Sequence, residues 1–228
     1  MRRTDEPGPE NRDAGLASEP ATREKETMDR IGFLGIPDVT AEAQQIFDED
    51  VAEVGYVMSV SRLWAYQPAT VTGLFALLRQ VNAGDRLSPR QRSVLVAAFA
   101  SAFGDSYCSL MWGNRLAQAA GAETAAGVLK GVDDGLDDSE RAMAAWARKV
   151  ARDPNGTTAA DVQELRDAGF DDSQIFTITA FVALRLAFST VNDALGLRPD
   201  APLRSTVPAV VRDAVTFGRP IDDAEDEA

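Results

Sequence analysis

The stretch from Leu87 to Gly121, LSPRQRSVLVAAFASAFGDSYCSLMWGNRLAQAAG, constrains this chain most, because it spells two consecutive helices with their start and stop signals in place. Ser88 offers a hydroxyl to free backbone N–H groups, Pro89 stands where no N–H is needed, and Gln91 is placed to reach back to the cap. Val94, Leu95, Ala98, Phe99 and Ala102 then recur at helical spacing, and Gly104 lets the chain turn out. A second helix follows at once. Asp105 can cap it, which puts Ser106, Tyr107 and Cys108 in its first turn, with Met111, Trp112 and Arg115 below Cys108 at i+3, i+4 and i+7.

The rest of the chain repeats this grammar. Ala43, Ile46, Phe47, Val51 and Val54 form a helical stripe after Thr40; Gly55 breaks it, and Pro68 opens another helix carrying Val71, Leu74, Phe75, Leu78 and Val81. A short helix over Glu123 to Lys130 ends at Gly131. Asp137 with Glu140, Thr158 with Asp161 and Asp171 with Gln174 each predict a capping box. The acidic run Asp133 to Asp138 lacks the roughly twelve-residue spacing and terminal glutamate of a calcium loop, so it reads as caps. Ile175 to Val191 is strongly apolar but interrupted by Arg185, and reads as a buried central helix, marginal in length for a bilayer. Val207 to Phe217 predicts a last, shorter helix. No strand pattern and no internal repeat competes. The expected organisation is a disordered leader over residues 1–29, rich in Glu, Pro, Arg, Thr and Gly, a helical domain over 30–218, and an acidic disordered tail over 219–228.

With 36 acidic against 23 basic residues, a formal charge of −13, the chain is a poor partner for nucleic acid or an anionic membrane. One cysteine and no histidine exclude an internal disulfide and a multi-cysteine zinc site, and no metal or other cofactor is indicated. Two N-terminal arginines have no apolar run behind them, so no signal peptide is expected; a reducing cytoplasm is the natural home.

Read with its flanks, LSPRQRSVLVAAFASAFGDSYCSLMWG resembles the core helix pair of the carboxymuconolactone decarboxylase and alkyl hydroperoxidase D-like (AhpD-like) superfamily. The order helix, proline, helix, L-S-x-R before it, and VNDALGLRPD near the end, look like the same superfamily, where many members have Asn-Arg in place of Asn192 and Asp193. The resemblance implies an all-α, AhpD-like helical bundle that assembles as a homo-oligomer. Many members carry C-x-x-C-x-x-x-H on the second helix and a glutamate on the first. Here Cys108 matches the second cysteine, the one that attacks peroxide, while Asp105 replaces the first cysteine, Trp112 the histidine and Ser93 the glutamate.

That pattern leaves neither a resolving thiol nor a proton relay. Peroxide chemistry would then be of a one-cysteine kind, with Cys108 oxidised to sulfenic acid and an external thiol restoring it, assisted from among Ser93, Tyr107 and Arg185. Cys108 at a helix start gains from the helix dipole, whereas Asp105 opposes a second negative charge; the alternative is a small buried hydrophobe. Arg185, amid apolar residues, is expected to pair with Asp105 or Asp193, or else to hold a thiolate or anionic substrate. Trp112 either closes a pocket against a flat ligand or is a core indole. Gly113 costs about 1 kcal/mol in a helix, which points to a close helix approach. Three functions follow: a thiol-dependent hydroperoxide reductase, a non-redox binding protein or lactone-decarboxylase-type enzyme acting on a small organic acid, or a protein whose role is assembly alone.

Overall fold

Helix ends in this chain are set by side chains that the sequence displays. The computed structural model describes residues 30–84 and 86–223, so the leader expected over 1–29 and the last five residues of the tail lie outside it. Capping boxes form at Ser88 with Gln91, Asp137 with Glu140, Thr158 with Asp161 and Asp171 with Gln174, each satisfying two backbone donors. Among the described residues these and other caps delimit eleven α-helices. They are α1 (Ala41–Val54), α2 (Ser59–Trp64), α3 (Pro68–Val81), α4 (Pro89–Phe103), α5 (Ser106–Ala120), α6 (Ala122–Lys130), α7 (Asp138–Arg152), α8 (Ala159–Asp167), α9 (Asp172–Ala194), α10 (Leu203–Thr206) and α11 (Ala209–Ala214). Two strands of two residues each, β1 (Arg30–Ile31) and β2 (Leu34–Gly35), precede them; two residues are too few for an alternating pattern to show in the sequence. The architecture is all-α.

Helix α4 lies at the centre. Every residue from Ser93 to Ala100 is buried, so the helix is enclosed on all sides and not only along the stripe of Val94, Leu95 and Phe99. Ala97, Ala98 and Ala100 make this feasible, since short side chains let α5, α6, α7 and α9 close around it. Val94, Leu95, Val96 and Phe99 are fully buried, each contributing about 1.5–3 kcal/mol. Arg90 fastens α4 to α7 by a two-pronged ion pair with buried Glu140, at 2.5 and 2.8 Å.

Helix α9 runs against α3, α4 and α7. It buries Ile178, Phe181, Val182 and Phe188 on one face and leaves Phe176 75% exposed on another, so the central helix expected here is buried along one face. By length and composition it is also the one described helix apolar enough to cross a bilayer.

The C-terminal region departs from expectation in two places. The helix expected over Val207 to Phe217 is present but shortened to α11, Ala209–Ala214, because Pro208 holds Val207 extended ahead of it, and α10 just upstream was not expected. The chain also stays bound beyond residue 218, where the acidic tail was expected to begin. The Arg219 amide donates to Ser106 Oγ at 3.0 Å, Ser106 Oγ donates back to the Arg219 carbonyl at 2.8 Å, and the Asp222 amide donates to the Pro199 carbonyl at 2.8 Å. Arg198 and Arg204, distant in sequence, supply the bases that Asp222 and Asp223 lack locally.

Gly113 on α5 is the close-approach point that its helix cost implied. A Cβ there would lie 2.9 Å from Val211 Cγ1 on α11 and 3.0 Å from Leu129 Cδ1 on α6. Gly113→Val is therefore expected to lower unfolding free energy by about 1–3 kcal/mol through overpacking, read as a lower melting temperature by circular dichroism.

Candidate functional site

The site begins with the cap. Asp105 is fully buried, its Oδ1 accepts from the Cys108 amide at 2.8 Å, and its Oδ2 has no hydrogen-bond partner among the described residues. Cys108 thus takes the N3 position expected of it, with its sulfur turned inward and the residue only 1% exposed. Two donors from α9 converge on that sulfur: Arg185 Nη2 at 3.4 Å and Ser189 Oγ at 3.6 Å. They stand four residues apart, on one face of the helix.

Burial pushes the Cys108 thiol up most strongly, and the Asp105 carboxylate adds to it; Arg185 and Ser189 pull the other way without prevailing. The sulfur is therefore a protonated thiol at neutral pH. Asp193 is half-buried and is pushed up to about 7 by burial and by Asp105, with Arg219 opposing.

Arg185 itself corrects the expectation of a structural ion pair. Among the described residues neither Asp105 nor Asp193 pairs with it; its guanidinium instead lies 5.0 Å from the Trp112 ring centre and 5.1 Å from that of Phe188, with Cys108 Sγ as its hydrogen-bond partner. The Nε atom is buried and has no partner among the described residues. Trp112 serves as a π face for Arg185 and also for Arg115, 4.8 Å away. Phe188 is backed by Trp64, stacked on it at 5.7 Å, and Trp64 Nε1 donates to Asn192 Oδ1 at 2.8 Å. Asn192 thereby supports this aromatic wall, while its Nδ2 has no partner among the described residues.

Not every candidate residue gathers at the sulfur. The Tyr107 hydroxyl donates to Asp200 Oδ2 at 2.8 Å, in a buried pair that also receives the Ser59 amide, and burial holds its phenol well above the usual range. Ser93 Oγ donates to the Pro89 carbonyl at 2.9 Å and lines a cavity of about 410 Å³ with Arg92, Trp112, Arg115 and Gln118. A neighbouring cavity of about 450 Å³ shares three of those residues, Arg92, Trp112 and Arg115, and is walled by Phe75 and Phe181. Arg79 and Arg185 complete four guanidiniums around it. Arg185 touches both cavity and sulfur. Cys108 itself lines neither cavity, and Arg185 stands between the second cavity and the sulfur.

Sequence reasoning missed Ser189, Arg79 and Arg92. The four-residue spacing of Arg185 and Ser189 on α9 was a visible signal for the first; nothing local marks the arginines as convergent.

No protein-family model matches the chain, and no curated protein matches it. Solved structures do. An uncharacterized peroxidase-related protein from Ralstonia eutropha JMP134, described as an alkylhydroperoxidase AhpD core, aligns over 76% of this chain and 95% of its own, with 23% identity and a TM-score of 0.67. A peroxidase-related protein from Silicibacter sp. TM1040 covers 77% and 95%, with 21% identity and a TM-score of 0.68. A cysteine-to-alanine variant of the debrominase Bmp8, in complex with 2,3,4-tribromopyrrole, covers 75% and 94%, with 17% identity and a TM-score of 0.62. The chain has the AhpD-like fold, as its core helix pair implied.

Because the thiol is raised, its thiolate fraction at pH 7 is below that of free cysteine, and alkylation of Cys108 should keep accelerating beyond about pH 9.5, where free cysteine has levelled off. Asp105→Asn retains a good cap and removes the opposing charge; iodoacetamide labelling at pH 8 should speed up about tenfold, and Arg185→Gln should slow it.

Proposed function

We propose that the protein is a thiol enzyme of the carboxymuconolactone decarboxylase and AhpD-like type that reduces a small organic hydroperoxide through Cys108 alone. The observation that carries this reading is the buried Arg185 guanidinium, whose hydrogen-bond partner among the described residues is a sulfur atom. A buried arginine cannot shed its charge, so it favours whatever makes that sulfur negative. Ser189 adds a second donor, and the first turn of α5 adds its dipole.

In the reaction, Sγ attacks the distal oxygen of the hydroperoxide. The S–O bond forms, the O–O bond breaks, and the thiol proton ends on the departing alkoxide, giving an alcohol and Cys108 sulfenic acid. With one cysteine in the chain, an external thiol must condense with the sulfenic acid, releasing water and leaving a mixed disulfide; a second external thiol then frees Cys108 by exchange. Burial and Asp105 keep the resting thiol protonated, so turnover is slow at neutral pH and rises with pH. A homo-oligomer in a reducing cytoplasm completes the proposal, on the strength of the resemblance and of the lone free cysteine.

A second reading is a non-redox small-molecule protein on the same scaffold. It is favoured by the near-complete burial and raised pKa of the thiol. Treating the native protein with cumene hydroperoxide in the presence of dimedone separates the two. Mass spectrometry should find the adduct on Cys108, and Cys108→Ser should abolish hydroperoxide consumption; a thiol labelled only after denaturation rejects redox catalysis and leaves the second reading.

A further inference from the structure

We propose that the arginine-lined cavity binds a small organic carboxylate with a flat apolar body, and that this is the form in which the site receives its substrate. The link to Cys108 chemistry rests on the function proposed above; the binding does not.

The argument starts from the charge on Arg185. A guanidinium at 4% exposure has given up most of its hydration, and the two π contacts, with Trp112 and with Phe188, replace only part of it. A protonated thiol adds one weak hydrogen bond. The buried Nε receives nothing, and no carboxylate lies within ion-pair distance among the described residues. Arg185 is thus left with an unfilled hydrogen-bonding edge in a side chain that lines an open cavity.

The neighbours deepen the deficit. Arg92 also lines the cavity with a buried, unpartnered Nε, and Arg79 has no ion pair among the described residues. Arg115 alone is engaged, by Glu53 at 3.0 Å on the exposed side. No Asp or Glu is among the described lining residues, although the chain as a whole carries 36 acidic residues against 23 basic ones. Concentrating positive charge inside a concave, low-dielectric wall focuses its field on an incoming anion. A guanidinium offers paired donors that match the two oxygens of a carboxylate.

The remaining walls choose the body of the ligand. Trp112, Phe75, Phe181 and Leu78 present rings and hydrocarbon beside those donors, and a volume of about 450 Å³ suits a small organic molecule. An unsaturated or aromatic acid meets both requirements: its carboxylate faces Arg185 and Arg92, and its plane lies along the rings.

The test uses trans-cinnamate as probe and cinnamamide as its uncharged counterpart, measured by isothermal titration calorimetry on the full chain. Cinnamate should bind at least about tenfold more tightly than cinnamamide, with affinity falling as salt rises. Arg92→Gln and, independently, the more exposed Arg79→Gln should each weaken cinnamate by about three- to tenfold. Cys108→Ser should keep that affinity, whatever it does to peroxide consumption. Equal affinity for acid and amide, no binding of cinnamate at about 10 mM, or indifference to both arginine substitutions would overturn the proposal. Loss of dimedone labelling with cinnamate binding intact would instead remove only the thiol chemistry.

Discussion

A buried guanidinium with no carboxylate partner among the described residues organises this molecule's interior. Arg185 enters the core from α9, spreads between the rings of Trp112 and Phe188, and meets the sulfur of Cys108 at 3.4 Å. Two of those neighbours are in turn fixed by something else: Cys108 by the cap of Asp105, and Phe188 by Trp64 and, through it, Asn192. The enclosing of α4 brings α5 and α9 close enough for the two helices to share this one charge. Core packing and site electrostatics are therefore parts of one arrangement.

The sulfur sits between opposing influences of similar kind. Asp105 holds the backbone that positions it and, with the same carboxylate, resists its ionisation; Arg185 and Ser189 favour the anion. Burial decides the balance in favour of the neutral thiol. The exchange of histidine for Trp112, relative to the pattern the sequence resembles, has a physical sense here. An indole cannot pass a proton, but its ring face can hold the cations of Arg185 and Arg115.

Much of this was legible before any coordinates. Four capping boxes, the N3 position of Cys108, the tight approach at Gly113 and the all-α architecture follow from short-range rules about which side chains reach which backbone groups. What was not legible depends on contacts far apart in sequence. Arg185 was expected to seek Asp105 or Asp193 because charge pairing is the common outcome, and no local rule reveals that two rings and a sulfur would take that place. Tyr107 looked like a neighbour of the thiol because it is adjacent in sequence, yet adjacent helical residues point in different directions, and its hydroxyl is committed to Asp200. The hold on residues 219–223 depends on Ser106, Pro199, Arg198 and Arg204, none of which a local composition window includes.

Arg185 and Ser189 reach Cys108 only because they lie one turn apart on the same side of α9. A single residue inserted upstream in that helix would rotate both by about 100° while leaving its hydropathy almost unchanged. Rotational phase along α9, more than its apolar character, is thus what this chain must conserve to keep a cation at its only thiol.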